Sequence, residues 1–248
     1  MSVVEEDLCR RIREIWPNFA VADAAAWDTD LLVSSLIPAA RRPKAVMPSA
    51  KSVIVLWVPV SATILHTAPS IYYREHYKTL NTLLDITAQR IATMLDGEGY
   101  DSAYVPRDGY HGIEGLRKDP SSFFSHRHAA YLAGLGTFGI NNVLLTETHG
   151  PRVRLTSIIT SADLPSGKPL RKELCIECMK CVRECPANAL NGDAYPGGLD
   201  KMLCVERSEE LAKKGISPCG RCITVCPVGK NVTPPTGDFI EAVRRYEI

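Results

Sequence analysis

The sequence lacks the features that direct a chain to a membrane or to nucleic acid. No apolar run approaches the ~20 residues that a membrane span requires, so no membrane contact is expected. The 29 basic and 28 acidic residues leave a formal net charge of +1, without a block of Lys and Arg that would indicate nucleic-acid binding. A secretory leader is also missing, which predicts a cytoplasmic protein with reduced thiols.

The overall composition is that of a soluble globular protein, with 248 residues, 45% hydrophobic and 23% charged. Cysteine is the exception, because eight of the nine cysteines lie between Cys175 and Cys226. Outside this segment roughly 170 residues remain, enough to bury one hydrophobic core. Two domains are therefore expected.

The eight cysteines follow the pattern of a protein with two iron-sulfur clusters. One run, Cys-x2-Cys-x2-Cys-x3-Cys-Pro, begins at Cys175, another, Cys-x2-Cys-x3-Cys-Pro, begins at Cys219, and Cys204 lies between them. In runs of this type the last Cys before the Pro ligates the other cluster, so the expected ligand sets cross over. One 4Fe-4S cluster takes Cys175, Cys178, Cys181 and Cys226, and the second takes Cys185, Cys204, Cys219 and Cys222.

Two other uses of the cysteines are weaker explanations. Zinc needs four thiolates per ion and has no use for a three-Cys run followed by Cys-Pro. A disulfide framework is not expected in a reducing cytosol. The ninth cysteine, Cys9, lies on a predicted amphipathic helix and is interpreted as a small buried apolar residue.

The remaining patterns favour an α+β fold, because helices and strands do not alternate regularly. Helices are predicted over 5–16, within 23–40 and over 78–95, and strands over 52–58, 103–105, 143–146 and 152–160. Strand 52–58 is a continuous apolar run, typical of a central strand buried on both faces. Segment 71–77, with three tyrosines and a histidine, is either a pocket or the start of a helix. The stretch 106–122 is predicted to be a long functional loop.

A glycine-rich segment follows an Ala-rich, helix-like stretch. Gly134, Gly136 and Gly139 allow backbone to approach a ligand or adopt positive φ. The segment is not a dinucleotide-binding motif, because no strand precedes it.

Three features in this order resemble epoxyqueuosine reductase and its relatives, the corrinoid-dependent reductive dehalogenases. They are segment 50–55, segment 132–145 and the cysteine array with its lone Cys204. The resemblance covers about residues 45 to 230. It implies a nitroreductase-like α/β core followed by a ferredoxin-like double 4Fe-4S domain. We expect the core over 1–165, the cluster domain over 166–235 and a tail over 236–248.

The resemblance also implies a function: an iron-sulfur oxidoreductase in which the clusters pass single electrons to a base-off cobalamin and on to a small-molecule substrate. By motif match, the corrin would contact Gly134, Leu135, Gly136, Phe138, Gly139 and Asn141. Two alternatives stay open. The chain could be an electron-transfer protein that reduces a partner or its protein-bound corrinoid, or a flavin-dependent reductase.

Candidate proton donors are Asp119, His126 and His128. Asp119 lies roughly where the family's proton-donating acid lies, although an Asp before Pro120 is also typical of a solvated turn. The two histidines are two positions apart and diverge on a helix, so at most one of them faces a given site. A hydrogen-bonded structural role is the alternative for each histidine.

The sequence departs from the epoxyqueuosine reductases in two places. Residues 136–140 read Gly-Thr-Phe-Gly-Ile, where that family has Gly-Trp-x-Gly-Lys. The family's helical-repeat extension, which helps to hold tRNA, is missing, so tRNA is not an expected partner. An electron donor such as ferredoxin or flavodoxin is expected instead.

Overall fold

The computed structural model describes residues 3–106, 112–119, 122–230 and 237–246. Twelve helices lie in these ranges: α1 (Val3–Ile15), α2 (Ala26–Thr29), α3 (Leu31–Leu36), α4 (Pro43–Val46), α5 (Ala62–Leu65), α6 (Ile71–Gly97), α7 (Gly112–Lys118), α8 (His126–Leu132), α9 (Lys180–Arg183), α10 (Lys201–Lys213), α11 (Arg221–Thr224) and α12 (Gly237–Tyr246). A 3-10 turn covers Ala39–Arg41. None of the described helices is long and apolar enough to span a bilayer.

The strands form one four-stranded antiparallel sheet and one hairpin. The strands are β1 (Phe19–Asp23), β2 (Ser52–Pro59), β3 (Ser102–Val105), β4 (Gly136–Phe138), β5 (Leu144–Thr146) and β6 (Val153–Thr160). The large sheet has the order β1-β2-β6-β3, and β4 pairs with β5 in the hairpin. The predicted mixture of helix and sheet is confirmed, whereas the nitroreductase-like detail stays a prediction.

Strand β2 is buried on both faces, as its continuous apolar run predicts. Ile54 and Leu56 point into one core, which α1 and α6 cover. Val53 and Val55 point to the opposite side, into a core that α2, α3 and α8 complete. Alternating side chains of one strand therefore fill two cores, and the sheet is the middle of three layers.

Two helices position the rest of the chain around this sheet. Leu8 and Ile12 of α1 are buried, which confirms the amphipathic pattern, and Cys9 packs partly buried beside them. Helix α6 begins earlier than predicted, because the Ser70 hydroxyl accepts a hydrogen bond from the Tyr73 amide at 3.0 Å and caps the helix. Segment 71–77 is therefore the start of a helix.

The structure corrects the sequence prediction in two places. Strand β1 was not predicted, because its short Phe-Ala-Val-Ala-Asp sequence mixes residues that favour strands with Ala and Asp, which do not. Its pairing with β2 specifies it. Helix α7 lies inside the stretch predicted to be a loop, and its two glycines obscure the helical pattern. Residues 107–111 and 120–121 of that stretch lie outside the described residues.

The cysteine-rich segment contains only short helices and one longer helix, α10, yet it is anchored to the sheet layer by specific bonds. The Arg152 guanidinium, 3% exposed, donates to the carbonyls of Cys226 and Val228 at 2.8 and 2.6 Å. The Thr224 hydroxyl donates to the Leu65 carbonyl at 3.2 Å. Helix α12, in the segment predicted to be a tail, places Phe239 6.0 Å from Tyr72.

Candidate functional site

Four cysteines surround a cavity of about 290 Å³, which we name the inner group. Its members are Cys175, Cys178, Cys181 and Cys226. Burial raises the pKa of Cys226, and the neighbouring Cys178 and Cys175 raise it further, so these thiols lie within electrostatic reach of one another. The cavity thus joins three cysteines of the first run to the last cysteine of the second run, as the crossed ligand prediction requires.

The other four cysteines, Cys185, Cys204, Cys219 and Cys222, also lie near one another and are named the outer group. Burial raises the pKa of Cys222 to about 12, with further contributions from Cys204 and Cys219. The pKa of Cys204 is raised by burial and then by Cys219 and Cys185. Cys222 also responds to Cys181, so the two groups are adjacent.

The inner group supplies the donor set that a 4Fe-4S cluster requires. Its four thiols line one cavity. Four sulfur donors around such a cavity fit a 4Fe-4S cluster. The ligand assignment itself stays a prediction.

The backbone of both cysteine runs adopts left-handed conformations. Glu177 and Met179 have φ of 49° and 59°, and Gly220 has φ of 67°. Such residues turn successive amides toward one side and create concave sites for anions, which iron-sulfur proteins commonly use. A Cβ at Gly220 would also lie 2.6 Å from the Tyr73 ring, so glycine is required there.

The glycine-rich segment forms the β4–β5 hairpin, and its tip reaches the inner group. The Gly139 amide donates to the Val143 carbonyl at 3.0 Å, and Asn142, with φ of 59°, closes the turn. Ile140, Asn141 and Leu145 line the cavity between the inner cysteines. The two motifs that the sequence singled out are therefore in contact.

The glycines of this hairpin are covered by the protein's own chain. A Cβ at Gly136 would lie 2.0 Å from the Leu145 carbonyl oxygen, and one at Gly139 would lie 2.7 Å from Asn141 Oδ1. At Gly134, with φ of 75°, a Cβ would lie 2.4 Å from the Lys168 carbonyl oxygen. These glycines serve close packing of backbone on backbone.

The six residues predicted to contact a corrin are divided among four environments. Gly134 and Leu135 line an open cavity, and Asn141 lines the inner-group cavity. Gly136 and Gly139 pack on Leu145, as described above. Phe138 is 8% exposed and stacks on the ring of Tyr195 at 3.9 Å with an 8° interplanar angle.

The open cavity has a volume of about 520 Å³ and lies at the base of the hairpin; we name it the hairpin cavity. Its walls include Trp57, His149 and Leu170, and Leu170 also packs against the inner cysteines. The His149 ring lies 5.4 Å from the Trp57 ring. His149 Nδ1 is buried without a hydrogen-bond partner among the described residues. Burial and then Arg152 lower the pKa of His149.

The predicted proton donors each have their own hydrogen-bond or salt-bridge partners. His126 bonds to Ser157 Oγ at 2.9 Å, and burial lowers its pKa to about 4. His128 lies between Ser125 Oγ at 2.6 Å and the Tyr195 hydroxyl at 2.8 Å, and burial lowers its pKa to about 3.

Both histidines are thus neutral near pH 7 and engaged in hydrogen bonds. The third predicted donor, Asp119, follows α7 and forms a salt bridge with Arg41 at 2.7 Å. Asp119 therefore lies outside α8, the helix that carries both histidines. Its role as an acid stays a prediction.

Sequence reasoning missed three residues that connect the site. Tyr195 lies between the cysteine runs and carried no spacing signal. Arg152 is the first residue of a predicted strand. Its bonds to carbonyls of the cysteine-rich segment are seen only in the structure. His149 follows β5 and lines the hairpin cavity. A lone His in a Thr- and Gly-rich turn is not distinctive in sequence.

Known proteins share both parts of this chain. The 4Fe-4S dicluster domain family matches residues 174–230. The tetrachloroethene reductive dehalogenase of Desulfitobacterium hafniense is 27% identical over 198 residues, which cover 73% of this chain and 33% of that protein. The epoxyqueuosine reductase of Synechococcus sp. is 31% identical over 115 residues, 43% of this chain and 35% of that protein.

This chain is similar to members of both enzyme families. The resemblance expected from the sequence is confirmed, together with the presence of a 4Fe-4S dicluster domain. The chain matches about a third of the length of these curated relatives.

Solved structures of both kinds of enzyme share the fold of this chain. An epoxyqueuosine reductase in complex with a tRNA-Tyr stem loop aligns with a TM-score of 0.62 at 20% identity, over 96% of this chain and 68% of that chain. A reductive dehalogenase described in connection with B12-dependent dehalogenation aligns with a TM-score of 0.58 at 20% identity, over 79% and 28%.

Proposed function

We propose that this chain is an iron-sulfur oxidoreductase that passes single electrons through two 4Fe-4S clusters toward a corrinoid and on to a small-molecule substrate. The observation that carries the proposal is the hairpin contact. Residues 140, 141 and 145 line the inner-group cavity, and Thr146, next along the same strand, lines the hairpin cavity. A redox ligand in the hairpin cavity would therefore be separated from the inner cluster by a single layer of side chains.

The order of the two clusters follows from their surroundings. The outer group borders an open surface cavity through Cys185 and Cys219. The inner group borders the hairpin through Ile140 and Leu145. Electrons that arrive from a donor at the surface would reach the outer cluster first and the inner cluster second. The protein's contribution is then to position the clusters and to exclude water from the inner one.

The described residues do not form a closed pocket for a corrin. The hairpin cavity, about 520 Å³ including space that is open to solvent, is much smaller than a cobalamin requires. The glycines at 136 and 139 are covered by Leu145 and Asn141, and Phe138 is covered by Tyr195. We therefore assign no reaction step to the corrin, and the corrinoid part of the proposal rests on the relatives.

The covered glycines favour a second candidate function. A chain whose hairpin packs on itself could serve as an electron-transfer protein that reduces a corrinoid or another acceptor held by a partner. In that case the hairpin cavity, with Trp57 and His149 at its wall, would be part of the face presented to the acceptor. Both candidate functions require the two clusters. They differ in whether this chain or a partner protein binds the electron acceptor.

Anaerobic purification followed by reconstitution with iron and sulfide tests the shared part. The expected result is about eight iron and eight sulfide atoms per chain with a brown chromophore. Colourless protein, or zinc in place of iron, would refute both candidates.

Incubation of the reconstituted protein with cobalamin or with flavin separates the candidates. A corrinoid that stays bound through gel filtration supports the first function. Cluster-loaded protein that retains neither ligand supports the second. A retained flavin would refute the corrinoid proposal and establish a flavin-dependent reductase.

A further inference from the structure

Two surface cavities meet beside the outer cysteine group and form one concave surface. Their volumes are about 630 and 650 Å³, and they share Arg183, Glu184 and Arg221 as wall residues. The first cavity adds Arg207 and the second adds Lys180. We name this surface the basic concavity.

Among the wall side chains of the basic concavity, positive charge exceeds negative charge. Glu184 accepts a hydrogen bond from Arg221 at 2.7 Å, and Arg207 pairs with Glu210 at 2.9 Å. Arg183 donates to the Cys178 carbonyl at 3.1 Å, and no salt bridge of Arg183 is found among the residues that the structure describes. Lys180 is exposed at the start of α9. Since the whole chain carries a net charge of only +1, this excess is local.

Two of the outer cysteines border the basic concavity. Cys185 and Cys219 are wall residues of its first cavity. The inner-group cavity, in contrast, is walled by Ile140, Leu145 and Val228. An electron donor that settles in the basic concavity would thus be beside the outer cluster.

We propose that the basic concavity docks an acidic electron-transfer protein, which reduces the outer cluster by one electron at a time. This inference rests on the proposed function, because it needs the outer cluster. In each transfer the donor's reduced iron-sulfur or flavin centre loses one electron and the outer 4Fe-4S cluster gains it, without bond formation or proton transfer. Opposite surface charges accelerate such encounters 10- to 1,000-fold, and salt suppresses the acceleration.

The test measures the rate at which a reduced acidic [2Fe-2S] ferredoxin reduces the reconstituted protein in stopped-flow experiments. The unmodified protein should lose roughly tenfold or more in second-order rate constant between about 0.02 and 0.5 M salt. The double variant Lys180→Glu, Arg207→Glu should be slowed at least about tenfold at low salt and should lose the salt dependence.

A matched variant controls for net charge. Arg90→Glu reverses an exposed charge on α6, sixteen residues beyond Arg74 and thus about 24 Å further along the helix. Arg74 donates to the Gly215 carbonyl at 2.6 Å, which places the start of α6 at the cysteine-rich segment. Arg90→Glu should change the ferredoxin rate less than about twofold.

Reduced methyl viologen, a cationic small reductant, separates docking from the proposed function. If viologen fails to reduce the iron-loaded unmodified protein, its clusters do not accept electrons from such a donor and the proposed function is refuted. If viologen reduces every variant but the ferredoxin rate of the unmodified protein does not respond to salt, docking by charge is overturned. The same holds if the double variant and Arg90→Glu behave alike. If Lys180 and Arg207 only offset the charge of the cluster, docking is overturned. The double variant will then alter the cluster's reduction potential and will be reduced more slowly by both ferredoxin and viologen.

Discussion

The inner and outer cysteine groups use the same four-thiolate donor set in different surroundings. In the inner group, Cys181 and Cys226 are 7% and 8% exposed, and apolar side chains of the hairpin complete the wall. In the outer group, Cys204 is an exposed residue of α10, and two other members border the basic concavity. Solvent access and nearby charge tune a cluster's potential. In the proposed electron path, the outer group would exchange electrons with a donor and the inner group would deliver them within the protein.

Replacing Cys226 by Ala should have the largest effect. The inner cluster would lose its fourth ligand, and about four of the eight iron atoms should be lost. Cys226 also packs between Leu145 and Leu174, next to the carbonyl that Arg152 contacts, and cluster binding contributes to folding. We therefore expect loss of iron together with lower thermal stability, measured by iron analysis and circular dichroism. Full iron content would show that the crossed assignment is wrong.

Replacing Cys204 by Ala should have a more limited effect. The outer cluster would lose the ligand that α10 supplies, so about four iron atoms should again be lost. Asp200 caps α10 by accepting from the amides of Met202 and Leu203 at 2.9 and 3.1 Å, and this cap is independent of the thiol. The helix should persist, and circular dichroism should change little. Equal destabilisation by Cys204→Ala and Cys226→Ala would remove the proposed contrast between the groups.

The sequence was sufficient to predict the parts that local patterns encode. The spacing of the cysteines predicted two sets of four. Four of the cysteines line one cavity and the other four lie within electrostatic reach of one another, and the ligand assignment stays a prediction. The apolar run in β2 and the periodicity of α1 and α6 were likewise informative, because burial on one face or two faces leaves a readable pattern.

The parts that depend on contacts between distant segments were not predictable. Strand β1 exists through its pairing with β2. The glycines of the hairpin were interpreted as a ligand surface, yet glycine is equally required where Leu145 approaches backbone, and sequence does not distinguish the two causes. Tyr195 and His128 are 67 positions apart, and their bond appears only after docking of the cysteine-rich segment.

Acid should weaken this docking through His128. Its pKa is about 3 in the folded protein because of burial, with Arg127 and Lys201 adding to the effect, and about 6.5 when unfolded. The unfolded state therefore binds the proton first, so stability is constant above about pH 6.5 and falls below it. The expected loss is about 2 kcal/mol between pH 6.5 and pH 5. Urea unfolding of unmodified protein and His128→Gln tests this, and an equal pH slope in both would contradict it.

Replacing Tyr195 by Phe should reveal how firmly the two segments are joined. The change removes the hydrogen bond to His128 Nε2 at 2.8 Å and retains the ring stacked on Phe138 at 3.9 Å. A lost buried hydrogen bond costs about 1 kcal/mol, so unfolding in urea should shift by that amount without loss of iron. Tyr195→Ala, which also removes the stacking, is the matched comparison and should cost about 3 kcal/mol.

Replacing Cys9 by Ala should have the smallest effect and gives the reference for all cysteine variants. Cys9 lies on α1, partly buried against the core, and burial raises its pKa ahead of the opposing effect of Arg13. A partly buried thiol that acts as a small apolar group should cost less than about 1 kcal/mol on truncation. Iron content and visible absorption should be unchanged. A loss of iron would mean that the first layer of the fold also holds a cluster ligand, and the division into inner and outer groups would be incomplete.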